Sequence, residues 1–172
     1  VLNIFNVLLK EKTVFSEKQI TEIKTYLQNT SAESKVYLGC DSMRLRKKGK
    51  WFALYTVVLV VHMESKHGCK LFGYNTLEPD YDQNFKRPFN RLMSEAIKVA
   101  ELYQEIEYDL IDMAGVEIHL DVNPDEEYGS SCAVKAAAGY ILGTCGIQPK
   151  IKPEAWAASY AADRMVRGHV RT

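Results

Sequence analysis

Between Lys35 and Lys152 the spacing of apolar residues changes period in a fixed order, and that order limits the fold more than any single motif. Val36, Leu38 and Cys40 alternate with Tyr37, Gly39 and Asp41, the period-two signature of a strand over Lys35–Asp41. The polar stretch Arg44–Lys50, which contains Gly49, leads into Trp51–Met63, rich in Val, Leu, Tyr and Phe. A hairpin is the simplest link between the two. His67-Gly68 reads as a second turn and Cys69–Asn75 as a third strand, so an antiparallel meander is expected. Leu77–Asn90 holds Pro79, Pro88 and several Asp and Asn residues, and reads mostly as loop.

The second half alternates strand and helix. A long helix is expected over about Phe89–Tyr108. Val116, Ile118, Leu120 and Val122 then share one strand face, opposite Glu117, His119 and Asp121, until Asn123-Pro124-Asp125 stops the run. Ala-rich Ser130–Thr144 suits a helix closed by Gly146. Gln148–Lys152 reads as a short strand, and Pro153 opens a last helix over Glu154–Val166. Upstream, Ser16 and Gln19 form a capping box, and Ile20, Ile23 and Leu27 mark one face of a short helix at about 16–29. The order α, β-β-β-α-β-α-β-α predicts an α/β fold on a mixed sheet, three antiparallel strands followed by two parallel ones.

No repeat, low-complexity tract or linker divides the 172 residues, so one domain over 1–172 is expected, with its core at about 35–168. A chain this long buries roughly two-thirds of its unfolded surface. Hydrophobic residues at 47% and charged residues at 26% fit a soluble globular protein rather than a disordered one. The longest apolar run, Trp51–Val61, is too short to span a membrane. The first residues lack the basic segment of a secretory signal, so a cytoplasmic location is expected, and the missing initiator Met suggests that the natural start lies elsewhere. Cys40, Cys69, Cys132 and Cys145 show no metal-site spacing and are expected as incidental free thiols in a reducing compartment. A net charge of zero argues against a protein that coats nucleic acid non-specifically, while leaving room for a local basic patch.

Four acidic residues break the local pattern. Asp41 ends a strand, although Asp is depleted there, and Asp121 holds the equivalent place in His119-Leu120-Asp121-Val122. If the two strands are adjacent and parallel, both carboxylates lie at the carboxyl ends, where open α/β sheets place ligands. Glu95 falls on the apolar stripe Leu92, Val99, Leu102, Ile106, where a carboxylate is costly unless paired. Asp163 sits beside the Ala155, Ala158, Ala162 face of the last helix. Each has a structural alternative: a turn former at Asp41 or Asp121, a pairing of Glu95 with Arg91, a solvated partner of Arg164 or Arg167 at Asp163. Together they suggest one carboxylate cluster, and such a cluster suits Mg²⁺ or Mn²⁺, hard cations that prefer oxygen ligands.

The motifs Leu38-Gly39-Cys40-Asp41-Ser42, Ile118-His119-Leu120-Asp121-Val122 and Ile151–Asp163, the last being the most specific, with Arg91–Glu95 between them, resemble the ribonuclease H-like superfamily. More narrowly they resemble the YkuK-type family of ribonuclease H-related proteins. The resemblance spans about 35–170. It implies a five-stranded mixed sheet with helices on both faces. It also implies a metal-dependent nuclease whose catalytic and metal-binding acids are Asp41, Glu95, Asp121 and Asp163. Two ions would serve phosphodiester hydrolysis, Asp41 bridging them, Glu95 and Asp121 completing one and Asp163 the other. Cys40 and Met43 stand where Thr and Gln are expected, and neither change removes a ligand.

Candidate substrate contacts are Ser42, the basic run with Arg44, Arg46 and Lys48, His119, and Lys152 before Pro153. The run reads otherwise as a solvated hairpin tip, and His119 as a strand histidine with a local hydrogen bond, and these structural readings are the favoured ones. The expected partner is nucleic acid: RNA, an RNA–DNA hybrid or structured DNA. The alternative is a non-catalytic nucleic-acid- or protein-binding module on the same fold. An actin-like phosphotransferase would need two such domains and glycine-rich phosphate loops. Oligomeric state is not encoded in any motif here.

Overall fold

A computed structural model describes residues 15–65 and 68–157. Helix α1, Glu17–Gln28, opens on Ser16, whose hydroxyl accepts from the Gln19 amide while the Gln19 side chain accepts from the Ser16 amide. The expected capping box is therefore formed. Strand β1, Lys35–Lys47, and strand β2, Lys50–His62, pair antiparallel over their full length. Only Lys48 and Gly49 form the turn, both left-handed at φ 48° and 80°, the backbone that twists a two-residue hairpin to match its strands. The basic run is thus strand, not loop: β1 continues six residues past Asp41 because β2 stays in register beside it to Lys50 and takes up its alternate amides.

Strand β3, Cys69–Pro79, pairs antiparallel with β2 and runs further than the expected Cys69–Asn75. The residues first read as loop are recruited by β2, and Pro79 is tolerated because β3 is an edge strand. Helix α2 follows at Phe89–Ile106. Strand β4, Gly115–Leu120, lies parallel to β1. A 3₁₀ segment, Gly129–Ala133, enters helix α3, Val134–Cys145, which ends on Gly146 at φ 68°, its amide donating to the Leu142 carbonyl.

The sheet has four strands in the order β3-β2-β1-β4. The expected fifth, Gln148–Lys152, is reduced to one parallel bridge between Lys150 and His119. Its amides at Lys150 and Lys152 still donate to Ile118 and Val122. Pro149 and Pro153 leave its outer edge short of donors, so it ends the sheet instead of extending it.

Ile23 and Leu27 of α1, Leu92, Val99, Leu102 and Ile106 of α2, and Ala137 and Ile141 of α3 enter one buried cluster with Val36, Leu38 and Cys40 of β1. All three described helices therefore join the core on one face of the sheet. On the other face Tyr37 and Val60 pack against Ala157, where a helical turn begins at Trp156. The remainder of the expected last helix, with Asp163, lies outside the described residues, as does His67 of the second turn. The four cysteines are free, Cys40 and Cys145 buried and Cys69 exposed at the start of β3. No described helix is long and apolar enough to cross a membrane.

Candidate active site

The last paired residues of the parallel strands are Cys40 and Leu120. Asp41 and Asp121 come next on each chain, beside each other across a strand spacing of about 4.8 Å. This is the arrangement the two strand-end acids anticipated. It has an electrostatic cost. Burial, and then the neighbouring Asp121 charge, push the Asp41 carboxyl up to about 6. The Ser42 amide, donating to Asp41 Oδ1 at 2.7 Å, offsets part of that.

Glu95 reaches the same place from α2. It is buried, 3% exposed, on the apolar stripe formed with Leu92, Val99 and Leu102. Burial raises its pKa well above the usual carboxylate range; Asp41 and Asp121 add to the rise, while the Ser42 hydrogen bond and Arg91 oppose it. The Ser42 hydroxyl donates to Glu95 Oε1 at 2.5 Å and accepts from Arg91 Nη1 at 2.9 Å. Arg91 also donates to the Ser42 carbonyl. Glu95 and Arg91, one turn apart, meet through a serine on the sheet. A sequence reading pairs them directly, because nothing local reveals that the strand places a hydroxyl between them.

Lys152 Nζ lies 2.9 Å from Asp121 Oδ1, brought there by the bridged segment beside β4. It is held by the cluster itself. Arg44 is also engaged: its guanidinium pairs with Asp80 at 2.7 Å, donates to the Asp82 carbonyl, and lies 3.7 Å over the Phe85 ring. Arg46 and Lys48 stay exposed.

His119 is fully buried. Its Nδ1 accepts from the Ala157 amide at 3.0 Å, and its Nε2 faces Glu117 at 3.2 Å. Burial lowers its pKa, so the ring is neutral with both nitrogens used inside the protein. Of its two readings, the local hydrogen bond is the one this geometry matches: a ring with no exposed surface offers a substrate nothing.

One organising residue escapes the pattern. Asp82, 6% exposed, accepts from the Asn90 and Arg91 amides through its two carboxylate oxygens, both at 2.9 Å. It caps α2, which begins after Pro88 with no side-chain cap of its own. The only sequence signal was negative: a long helix with no capping residue at its start.

Three oxygen-donor carboxylates, two of them raised by burial and by one another's charge, are the chemistry of a hard divalent-cation site. Among the described residues no three His, Cys, Asp or Glu side chains stand as a ligating group. Ser42 holds one oxygen of Glu95 and Lys152 one oxygen of Asp121, so a shared ion would draw on the second oxygen of each or displace these contacts.

Comparison with known proteins adds one match: the family model described as Ribonuclease H-like fits residues 18–167. No curated protein matches the chain, and no solved structure does.

Proposed function

The chain belongs to the ribonuclease H-like family, and from that premise we propose that it is a metal-dependent nuclease hydrolysing phosphodiester bonds of RNA, an RNA–DNA hybrid or structured DNA. The observation that carries the reading is the side-by-side placement of Asp41 and Asp121 beyond the last β1–β4 pair, with Glu95 closing on them from α2. Asp41, Glu95 and Asp121, with Asp163 from beyond the described residues, would hold Mg²⁺ or Mn²⁺. When bound, such ions supply a hydroxide at neutral pH and charge neutralisation at the leaving oxygen.

The protein's own groups have separate tasks in this reading. Burial keeps Asp41 and Glu95 poor hosts for full charge, so a bound cation would be favoured there. Ser42 and Arg91 fix the direction of Glu95. Lys152, 41% exposed at its side chain, neutralises Asp121 until a divalent ion or a substrate phosphate draws it away. Arg46 and Lys48, exposed at the hairpin, are suited to the phosphodiester backbone.

One observation favours the second reading, a nucleic-acid-binding module without catalysis: Lys152 and Ser42 already hold one oxygen each of Asp121 and Glu95. Cleavage of labelled RNA, hybrid and branched DNA with Mg²⁺ or Mn²⁺ separates the two. Cleavage by the wild type that is lost in Asp41→Asn is the expected result. Retained binding with no cleavage of any substrate points to the module, and cleavage that survives Asp41→Asn places the chemistry elsewhere.

A further inference from the structure

The tip of the β1–β2 hairpin carries a surface that the acidic site does not use. Lys47 and Lys50 face each other as the last cross-strand pair before the turn. Like charges so placed are destabilising. Beside them Arg46 is paired in register with Trp51, and its guanidinium lies 5.6 Å from that ring. The loop after β3 folds against the same strands, its Asp80 amide donating to the Trp51 carbonyl. It presents Phe85, 59% exposed, and Tyr81, 77% exposed. Arg44 fixes the loop from beneath, its guanidinium 4.6 Å from the Trp51 ring and 3.7 Å over one face of the Phe85 ring, while the two rings meet at 5.5 Å.

The acids beside the hairpin are committed, whereas Glu126 and Glu127 line one cavity with Lys86. Asp80 pairs with Arg44, Asp82 caps α2, and Glu78 pairs with buried Lys98 at 2.5 Å. Lys47 and Lys50 have no carboxylate partner among the described residues. A chain of zero net charge therefore gathers uncompensated cations around two solvent-facing aromatic rings.

We propose that this hairpin tip and loop form a platform for single-stranded nucleic acid, the rings of Tyr81 and Phe85 stacking on bases while Arg46, Lys47 and Lys50 follow the phosphates. The two features point to one partner. Cations alone fit any polyanion, but exposed ring faces pair with unstacked bases, and a duplex hides those faces in its own stack. An acidic peptide would use the charges and leave the rings idle. The platform begins about 16 Å along β1 from Asp41, at a rise of about 3.3 Å per residue, so one strand of substrate can touch both. The proposal rests on the nucleic-acid part of the function above and is independent of catalysis.

Fluorescence anisotropy in chelator, which keeps binding separate from cleavage, tests it with a labelled pyrimidine oligonucleotide as RNA, as DNA and as a duplex. The single strands are expected to bind tighter than the duplex, and polyglutamate to compete poorly. Tyr81→Ala and Phe85→Ala should each weaken binding by roughly fivefold or more. Because Phe85 also supports Arg44, the Tyr81 variant carries the decision if Phe85→Ala unfolds. The double variant Lys47→Gln, Lys50→Gln should flatten the salt dependence by about 0.7 in log–log slope per cation removed. Unchanged affinity in Tyr81→Ala, equal binding of the duplex, or full competition by polyglutamate overturns the platform. Cleavage together with unchanged variant binding removes the platform alone; ring-dependent binding without cleavage removes the nuclease alone.

Discussion

Asp41 is asked to carry charge where charge is expensive. Burial and Asp121 raise its pKa to about 6, against about 3.9 in an unfolded chain. The folded state therefore holds the Asp41 proton more tightly than the unfolded state does, and stability contributed by that proton is lost as pH rises from about 4 through about 6. Glu95 acts in the same direction. In metal-free protein, Asp41→Asn is thus expected to be more stable than the wild type at pH 7, on the order of 2 kcal/mol. The advantage should vanish below about pH 4. Urea denaturation of both proteins between pH 4 and 7.5 checks this, and a wild type as stable as the variant at pH 7 would refute the repulsion.

Lys152 bears on the same balance from outside. Its pair with Asp121 is partly exposed, a setting in which an ion pair is worth about 0.2–1 kcal/mol. Lys152→Met should therefore tighten Mn²⁺ binding by roughly two- to fivefold, read by calorimetric titration. Affinity that falls instead would make Lys152 a support of the site and not a competitor. Ser42 was expected at the substrate; its hydroxyl is spent on Glu95 and Arg91. That outcome was hidden because strand alternation fixes the face of a residue but not its distance from a helix packed above it.

Among the elements, α2 decides how the site is built, since it brings both Glu95 and Arg91. Its interior was plain in the sequence: Leu92, Val99, Leu102 and Ile106 recur at helical spacing and are all buried. Its start was not, because the cap is lent by Asp82, seven residues before the helix begins and across a loop. Asp82→Ala leaves the Asn90 and Arg91 amides without their acceptor at the positive end of the helix dipole. A loss of about 1–2 kcal/mol is expected, measured by chemical denaturation. A change within a few tenths of a kcal/mol would mean that water replaces the cap.

Strand lengths failed in the sequence reading for a related reason. Arg44–Lys47 and Thr76–Pro79 look polar or loop-like, yet each continues a ladder because β2 lies between them and supplies partners on both sides. Pairing is a property of neighbours. Gln148–Lys152 shows the converse: expected as a strand, it forms one bridge.

For the molecule as a whole, the acids should behave as one ligand set. Mg²⁺ or Mn²⁺ at about a hundredfold excess over its dissociation constant stabilises a one-site binder by about 2.7 kcal/mol. The wild type should accordingly melt at a higher temperature with metal than with chelator, and the rise should shrink in Asp41→Asn and in Asp121→Asn. An undiminished rise in both variants would place the ion elsewhere.

Apolar periodicity by itself determined the order of elements, the mixed sheet, the buried stripe of α2 and the odd position of Glu95 upon it. Each of these follows from whether a side chain faces oil or water, a question its near neighbours in the chain already answer. Only the tertiary structure decided that Ser42 stands between Glu95 and Arg91, that Asp82 caps α2, that Arg44 locks a loop, and that Lys152 meets Asp121. Those are contacts between residues 8 to 53 positions apart, set by the packing of rigid elements, and a hydrogen bond a few tenths of a nanometre long has no period in a sequence.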